Sequence, residues 1–297
     1  MDQAEHLRKI MQQAEPKSNV RVITVTSGKG GVGKSSISIN LAIQMSRMGK
    51  RVVVFDADFG LANIEVMLGI RPQYNMADLM FHGMDLKGIV TEGPENVSFI
   101  SGGSGVQELA KMSREQVMYL IKKLGELDQN TDVIIVDTGA GISDSVLEFV
   151  VASEEVLLVA TPEPTSITDA YALLKALNRK AGFEKTETRI RMIANRVKSE
   201  AEGQNLYEKM NVVVNKFLNI PLDYMGIVPL DDQMSKAVMR QVPISVSRPS
   251  APSAKAFQSI TRRLLEVDDL QETEHGGLSR LFSNLIRAKM KNKKAST

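Results

Sequence analysis

The sequence predicts a doubly wound α/β fold: a mostly parallel sheet with helices on both faces, flanked by a short N-terminal helix and a C-terminal amphipathic one. Three observations carry that expectation. Short apolar runs alternate along the chain with amphipathic stretches of helical spacing, the mark of repeated βα units. Two of these runs, residues 52–55 and 133–136, are apolar at every position, which suits central strands covered on both faces. Glycines or carboxylates follow the runs, and ligands in such sheets gather at the C-terminal ends of the strands.

In chain order, the strand candidates are residues 20–26, 51–55, 97–100, 132–136, 155–160, 189–194 and 223–228. Helical stretches lie between most of them, at 33–48, 114–127, 164–181, 199–217 and 252–267. Ahead of the first strand, Asp2 and Glu5 have capping-box spacing, and Ala4, Leu7, Met11 and Ala14 share one helical face. A helix this short is marginal alone, so it frays, packs on the domain or folds on a partner. Pro16-Lys17-Ser18-Asn19 then reads as a linker. Ser101-Gly102-Gly103-Ser104-Gly105 lacks a following Lys-Ser/Thr and reads as a post-strand loop. The chain divides into an N-terminal segment (1–19), a main α/β domain (20–267), an acidic linker (268–276) and a basic amphipathic tail (277–297).

Composition narrows the class. A chain of 297 residues can bury a full core, and a net charge of +2 gives no global case for nucleic acid. With no cysteine there is neither a disulfide framework nor a thiolate metal site. No stretch has the length and apolarity of a membrane span, and the N-terminus is not a signal peptide, so a cytoplasmic location is expected.

The chemistry concentrates in Gly28-Lys29-Gly30-Gly31-Val32-Gly33-Lys34-Ser35-Ser36, placed directly after a strand and before a helix. This is a P-loop: glycines let the backbone wrap a phosphate chain, and loop amides with the helix N-terminus hold negative charge. Lys34 is expected along the β- and γ-phosphates, and the Ser35 hydroxyl on a Mg²⁺ ion. Asp137 ends a strand beside this loop, where a carboxylate can reach the metal through water.

Lys29 is a second lysine near the start of the loop. With it, the motif resembles the MinD/ParA group of deviant Walker A ATPases, the SIMIBI class. The resemblance implies that Lys29 crosses a dimer interface to the partner's nucleotide, so ATP controls dimerisation. Asp56-Ala57-Asp58-Phe59-Gly60-Leu61-Ala62-Asn63 resembles the family's first switch. By that likeness Asp58 positions or activates the attacking water, and Asp56 is the structural or metal-side carboxylate. Asp137 takes the place of the Walker B aspartate, and Gly139 stands where many relatives carry proline. Asn195 and the segment around Pro229 are the base-recognition positions, implying ATP/ADP rather than a guanine nucleotide.

The two ends carry the information about the branch. Leu278, Leu281, Phe282, Leu285 and Ile286 make one apolar stripe, with Arg280, Arg287 and Lys291 opposite and no acidic residue after Glu274. Two readings stand: an interfacial helix for anionic lipid, or a helix docked on its own domain. A helix that docks and is released satisfies both. At the front, Asp2-Gln3-Ala4 with Leu7-Arg8 resembles the activating element of the flagellar number regulators, the FlhG (YlxH/FleN) branch. That likeness implies stimulation of an FlhF-type signal-recognition GTPase and contact with flagellar switch (C-ring) proteins. It also implies a homodimer with ATP, reversible attachment to the inner face of the cell membrane, and no specific nucleic acid. The competing expectations are a cell-division MinD, a ParA-type nucleoid-binding ATPase, and an adaptor that binds nucleotide without hydrolysis.

Overall fold

The computed structural model describes residues 20–58, 63–103, 114–180, 183, 185, 188–266 and 277–295. The N-terminal segment with Gln3, Ala4, Leu7 and Arg8, the switch residues Phe59 to Ala62, and the acidic linker lie outside them.

Eight strands form one sheet. They are β1 (Arg21–Thr26), β2 (Val52–Ala57), β3 (Val90–Glu92), β4 (Ser98–Ser101), β5 (Val133–Thr138), β6 (Glu155–Ala160), β7 (Arg189–Val197) and β8 (Leu222–Pro229). The spatial order is β3-β4-β2-β5-β1-β6-β7-β8, with every pair parallel except β3 and β4. The twelve helices among the described residues are α1 (Lys34–Arg47), α2 (Asn63–Leu68), α3 (Met76–Phe81), α4 (Leu86–Ile89), α5 (Arg114–Asp128), α6 (Asp144–Ala152), α7 (Pro164–Leu177), α8 (Glu200–Leu218), α9 (Asp232–Met239), α10 (Ile244–Ser247), α11 (Pro252–Glu266) and α12 (Gly277–Ala295).

The central strands are buried on both faces, as their unbroken apolar runs require. Val52 and Val54 of β2 pack on one face with α1 and α11, while Val53 and Phe55 pack on the other. Val133 and Ile135 of β5 divide from Ile134 and Val136 in the same way. At the strands' N-terminal edge, buried Arg21 pairs with Glu155 at 2.7 Å and donates to the Leu264 carbonyl at 2.9 Å. Arg191 also pairs with Glu155, so one buried cluster joins β1, β6 and β7 and ties them to α11.

Several elements differ from expectation. β3 is a three-residue antiparallel edge strand, too short to show a period. Helix α7 stops at Leu177, four residues before the expected end at 181, with Asn178 as its cap. The apolar stretch ahead of β6 is helix α6, started by Ser143, whose hydroxyl accepts from the Val146 amide at 3.4 Å.

The tail helix α12 lies against α5 and α6. All five residues of its apolar stripe, Leu278, Leu281, Phe282, Leu285 and Ile286, are buried in the same cluster as Phe55, Leu124 and Phe149. The Phe282 ring sits 5.7 Å from Phe55 and 6.5 Å from Phe149, closing an aromatic triangle whose third side is 6.1 Å. At the rim, Arg280 pairs with Glu154 at 2.8 Å. No helix among the described residues is long and apolar enough to cross a membrane.

Candidate functional site

The strand order brings the sequence-predicted residues to one edge. β1 runs between β5 and β6, and the glycine-rich loop leaves its C-terminal end. Register pairs Asp137 with Val25 of β1 on one side and with Asp56 of β2 on the other. The two carboxylates therefore stand on neighbouring strands, beside the mouth of the loop.

The loop glycines have distinct reasons to be glycine. A Cβ on Gly28 would lie 2.1 Å from the Asp169 carbonyl, because α7 presses its backbone against the loop there. Gly33 takes a left-handed φ of 94° at the cap of α1, and a Cβ on it would meet Asn195 Nδ2 at 2.5 Å. Val32 is buried, and its carbonyl accepts from Asn195 Nδ2 at 2.6 Å. Lys34 is buried at the first turn of α1, and Ser36 directs its hydroxyl toward the Met67 sulfur at 3.9 Å.

The carboxylates differ in what their oxygens do. Asp56 accepts the Asp58 amide on Oδ1 at 3.0 Å and the Ile64 amide on Oδ2 at 3.2 Å, so both oxygens shape the turn after β2. Burial, with the Asp137 charge adding to it, raises its carboxyl to about 8. Asp137 accepts from Ser38 Oγ at 2.9 Å on Oδ1, while its buried Oδ2 has no hydrogen-bond partner among the described residues. Burial raises this carboxyl to about 6 against the opposing pull of Ser35, Lys34 and Ser38. An orphaned carboxylate oxygen next to a serine hydroxyl is the oxygen chemistry a hard divalent cation takes. Asp58 is half-buried and accepts from Asn63 Nδ2 at 3.0 Å. Gly139 stands over it: a Cβ there would lie 3.5 Å from Asp58 Oδ1, an ordinary contact.

The chain matches the family model described as "ParA: NUBPL iron-transfer P-loop NTPase" over residues 19–265. It is 42% identical to the antiactivator FleN of Pseudomonas aeruginosa over 86% of this chain and 89% of that one. The chain belongs to the ParA/MinD family of P-loop ATPases. It is also 34% identical to the flagellum site-determining protein YlxH of Helicobacter pylori, over 96% of this chain and 98% of that protein. Among solved structures, the MinC:MinD cell division complex of Aquifex aeolicus superposes with a TM-score of 0.65 at 25% identity, covering 83% of this chain and 96% of that one. The iron transfer in the family description has no thiolate ligand here, since the ATPase contains no cysteine.

Lys29 of this ATPase is not reaching outward. Its ammonium binds Glu163 at 2.9 Å and Thr165 Oγ1 at 2.8 Å, at the start of α7. That contact draws the Glu163 carboxyl below its usual range. Asn195 is committed at both ends of its amide: Nδ2 to the Val32 carbonyl, and Oδ1 to the Arg196 amide at 2.9 Å. Pro229 ends β8, paired in register with Val197 two residues beyond Asn195. The site thus collects residues 28–36, Asp56, Asp58, Asp137 and Asn195, whereas the stripe from Leu278 to Ile286 lies in the groove on α5 and α6. Sequence reasoning missed Ser38, which lies one helical turn after Lys34, and Glu163 with Thr165, which no spacing connects to Lys29.

Proposed function

We propose that this ATPase is an ATP-switched homodimer of the flagellar-number branch, whose tail helix is docked in the resting monomer and goes to the membrane when ATP assembles the dimer. The observation that carries this reading is the burial of the α12 stripe against the two elements that border both switches. Phe55 precedes Asp56 by one residue, and Phe149 belongs to the helix that follows the Asp137 loop. A shift of either switch alters the walls of the Phe282 pocket, and packed cores respond to such shifts in steps rather than smoothly.

In this reading the P-loop amides and Lys34 hold the phosphates, and Asn195 offers its remaining N–H to adenine near Pro229. Ser35 and the orphaned Oδ2 of Asp137 hold Mg²⁺, which when bound supplies positive charge to the phosphate oxygens. Asp56 shapes the switch turn, each of its oxygens accepting one amide. Asp58 orients the attacking water and takes its proton, and Asn63 fixes the carboxylate from behind. Lys29 exchanges Glu163 and Thr165 for the partner's nucleotide, so catalysis is complete only in the dimer. Once free, two basic amphipathic helices on one dimer bind anionic lipid together, with an avidity gain of roughly a hundredfold or more.

The flagellar assignment draws on the FleN and YlxH likenesses, and FlhF stimulation on the Asp2-Gln3-Ala4, Leu7 and Arg8 match. C-ring contacts rest on that branch likeness. The test is co-sedimentation with anionic liposomes, in ATP and in ADP, for the full chain and a 1–275 truncation. Binding that requires both ATP and the tail is the expected result. Binding indifferent to nucleotide would overturn the switch, and ATP-dependent binding to nonspecific DNA with a steep salt slope would substitute a nucleoid partner.

A further inference from the structure

We infer that Asp128 is the latch that holds α12 in its groove, and that Ser283 keeps the latch weak enough to open. The inference rests on the proposed release of α12 and names the residues that set how readily it occurs.

A helix N-terminus leaves its first amides without intrahelical partners, and a residue just ahead of the helix ordinarily caps them. Here the cap comes from a different helix. Asp128, the last residue of α5, accepts the Leu278 amide at 2.9 Å on Oδ1. Its Oδ2 accepts the Ser279 hydroxyl at 2.7 Å and the Ser279 amide at 3.3 Å. The carboxylate also opposes the positive end of the α12 dipole. Gly277 is shaped to this contact: its φ is 63°, and a Cβ on it would sit 2.4 Å from the Asp128 carboxylate. Its own amide donates to the Val20 carbonyl at 3.1 Å.

Two features oppose the latch. Asp128 is buried, and desolvation raises its carboxyl above the usual range despite the three bonds it accepts, so its charge is held at a cost. One turn after Ser279, Ser283 is fully buried and its hydroxyl has no partner among the described residues, although its neighbours in α12 serve an apolar groove. A buried hydroxyl without a partner favours whichever state returns it to water.

The experiment is amide hydrogen exchange of the full chain in ADP and in ATP, read on α12 peptides, with liposome binding alongside. Asp128→Ala is expected to raise α12 opening in ADP by about tenfold, the scale of a lost cap. Ser283→Ala is expected to lower it by a similar factor and to reduce liposome binding in ATP. Gly277→Ala, which pushes the helix start off the carboxylate, should reproduce Asp128→Ala and stands in for it if that variant does not fold. Unchanged α12 protection in both Asp128→Ala and Gly277→Ala overturns the latch, and unchanged protection in Ser283→Ala overturns the counterweight. If α12 exchange in the parent is the same with ADP and ATP, release by nucleotide fails, while the variants still decide the latch.

Discussion

The nucleotide edge and the α12 groove share β2, yet they are built on opposite terms. At the edge, Asp137 Oδ2 is orphaned, Asp56 is pushed toward its protonated form, and Lys29 is engaged with its own subunit. In the proposed cycle these are the groups that ligand and partner complete. One residue away, Phe55 belongs to a closed aromatic triangle in which the stripe of α12 is fully covered. The lesson is that ligand demand and packing satisfaction can lie back to back on one strand. In the proposed switch, completing the first disturbs the second.

The comparison can be broken from either side. The largest effect is expected from Asp58→Ala: hydrolysis falls by about a hundredfold to ten-thousandfold while ATP binding persists, measured by single-turnover rates beside equilibrium binding. A variant that still cycles normally would remove Asp58 from the chemistry. On the groove side, Phe282→Ala should cost about 3–5 kcal/mol in denaturant unfolding, because it removes one corner of the triangle and leaves a cavity. A loss under about 1 kcal/mol would mean the groove is not part of the cooperative core.

Lys29→Ala sharpens the contrast by separating folding from assembly. Its ion pair with Glu163 is 36% and 55% exposed at its two side chains, so its removal should leave monomer stability nearly unchanged. ATP-dependent dimerisation, followed by light scattering, should nevertheless be lost. Normal dimerisation would remove the trans role.

The smallest effect is electrostatic. Asp56 and Asp137 carry folded-state carboxyls raised to about 8 and about 6, above the ordinary aspartate value. Between that ordinary value and the raised ones, the native state binds protons that the unfolded chain has released, so stability falls as pH rises. The melting temperature of the nucleotide-free protein should therefore drop by a few degrees from pH 6 to pH 8. Mg²⁺ with nucleotide should flatten the slope. A flat profile without ligand would show that the two carboxylates are better solvated than their burial implies.

What the sequence disclosed followed the range of each signal. Strands β2 and β5 were legible because burial on both faces leaves an unbroken apolar run, and the P-loop because phosphate binding fixes residue types at fixed spacing. Strand β3 was not, since three residues at an edge show no period. The stripe from Leu278 to Ile286 was legible as a stripe, but a lipid surface and a protein groove ask for the same pattern. Only the placement of Phe55 and Phe149 shows what covers it. Asp128 lies about 150 residues from the amides it caps, and Glu163 134 residues from Lys29, separations at which sequence carries no pairing signal.

The bond from the Gly277 amide to the Val20 carbonyl has one more consequence. Val20 is where residues 1–19 join the domain, at the ends of the strands farthest from the nucleotide, and Gly277 is where α12 begins. Both tails thus depart from one corner, like two leads soldered to a single terminal. The two attachment points are neighbours in space, although 257 positions separate them along the chain (277 − 20).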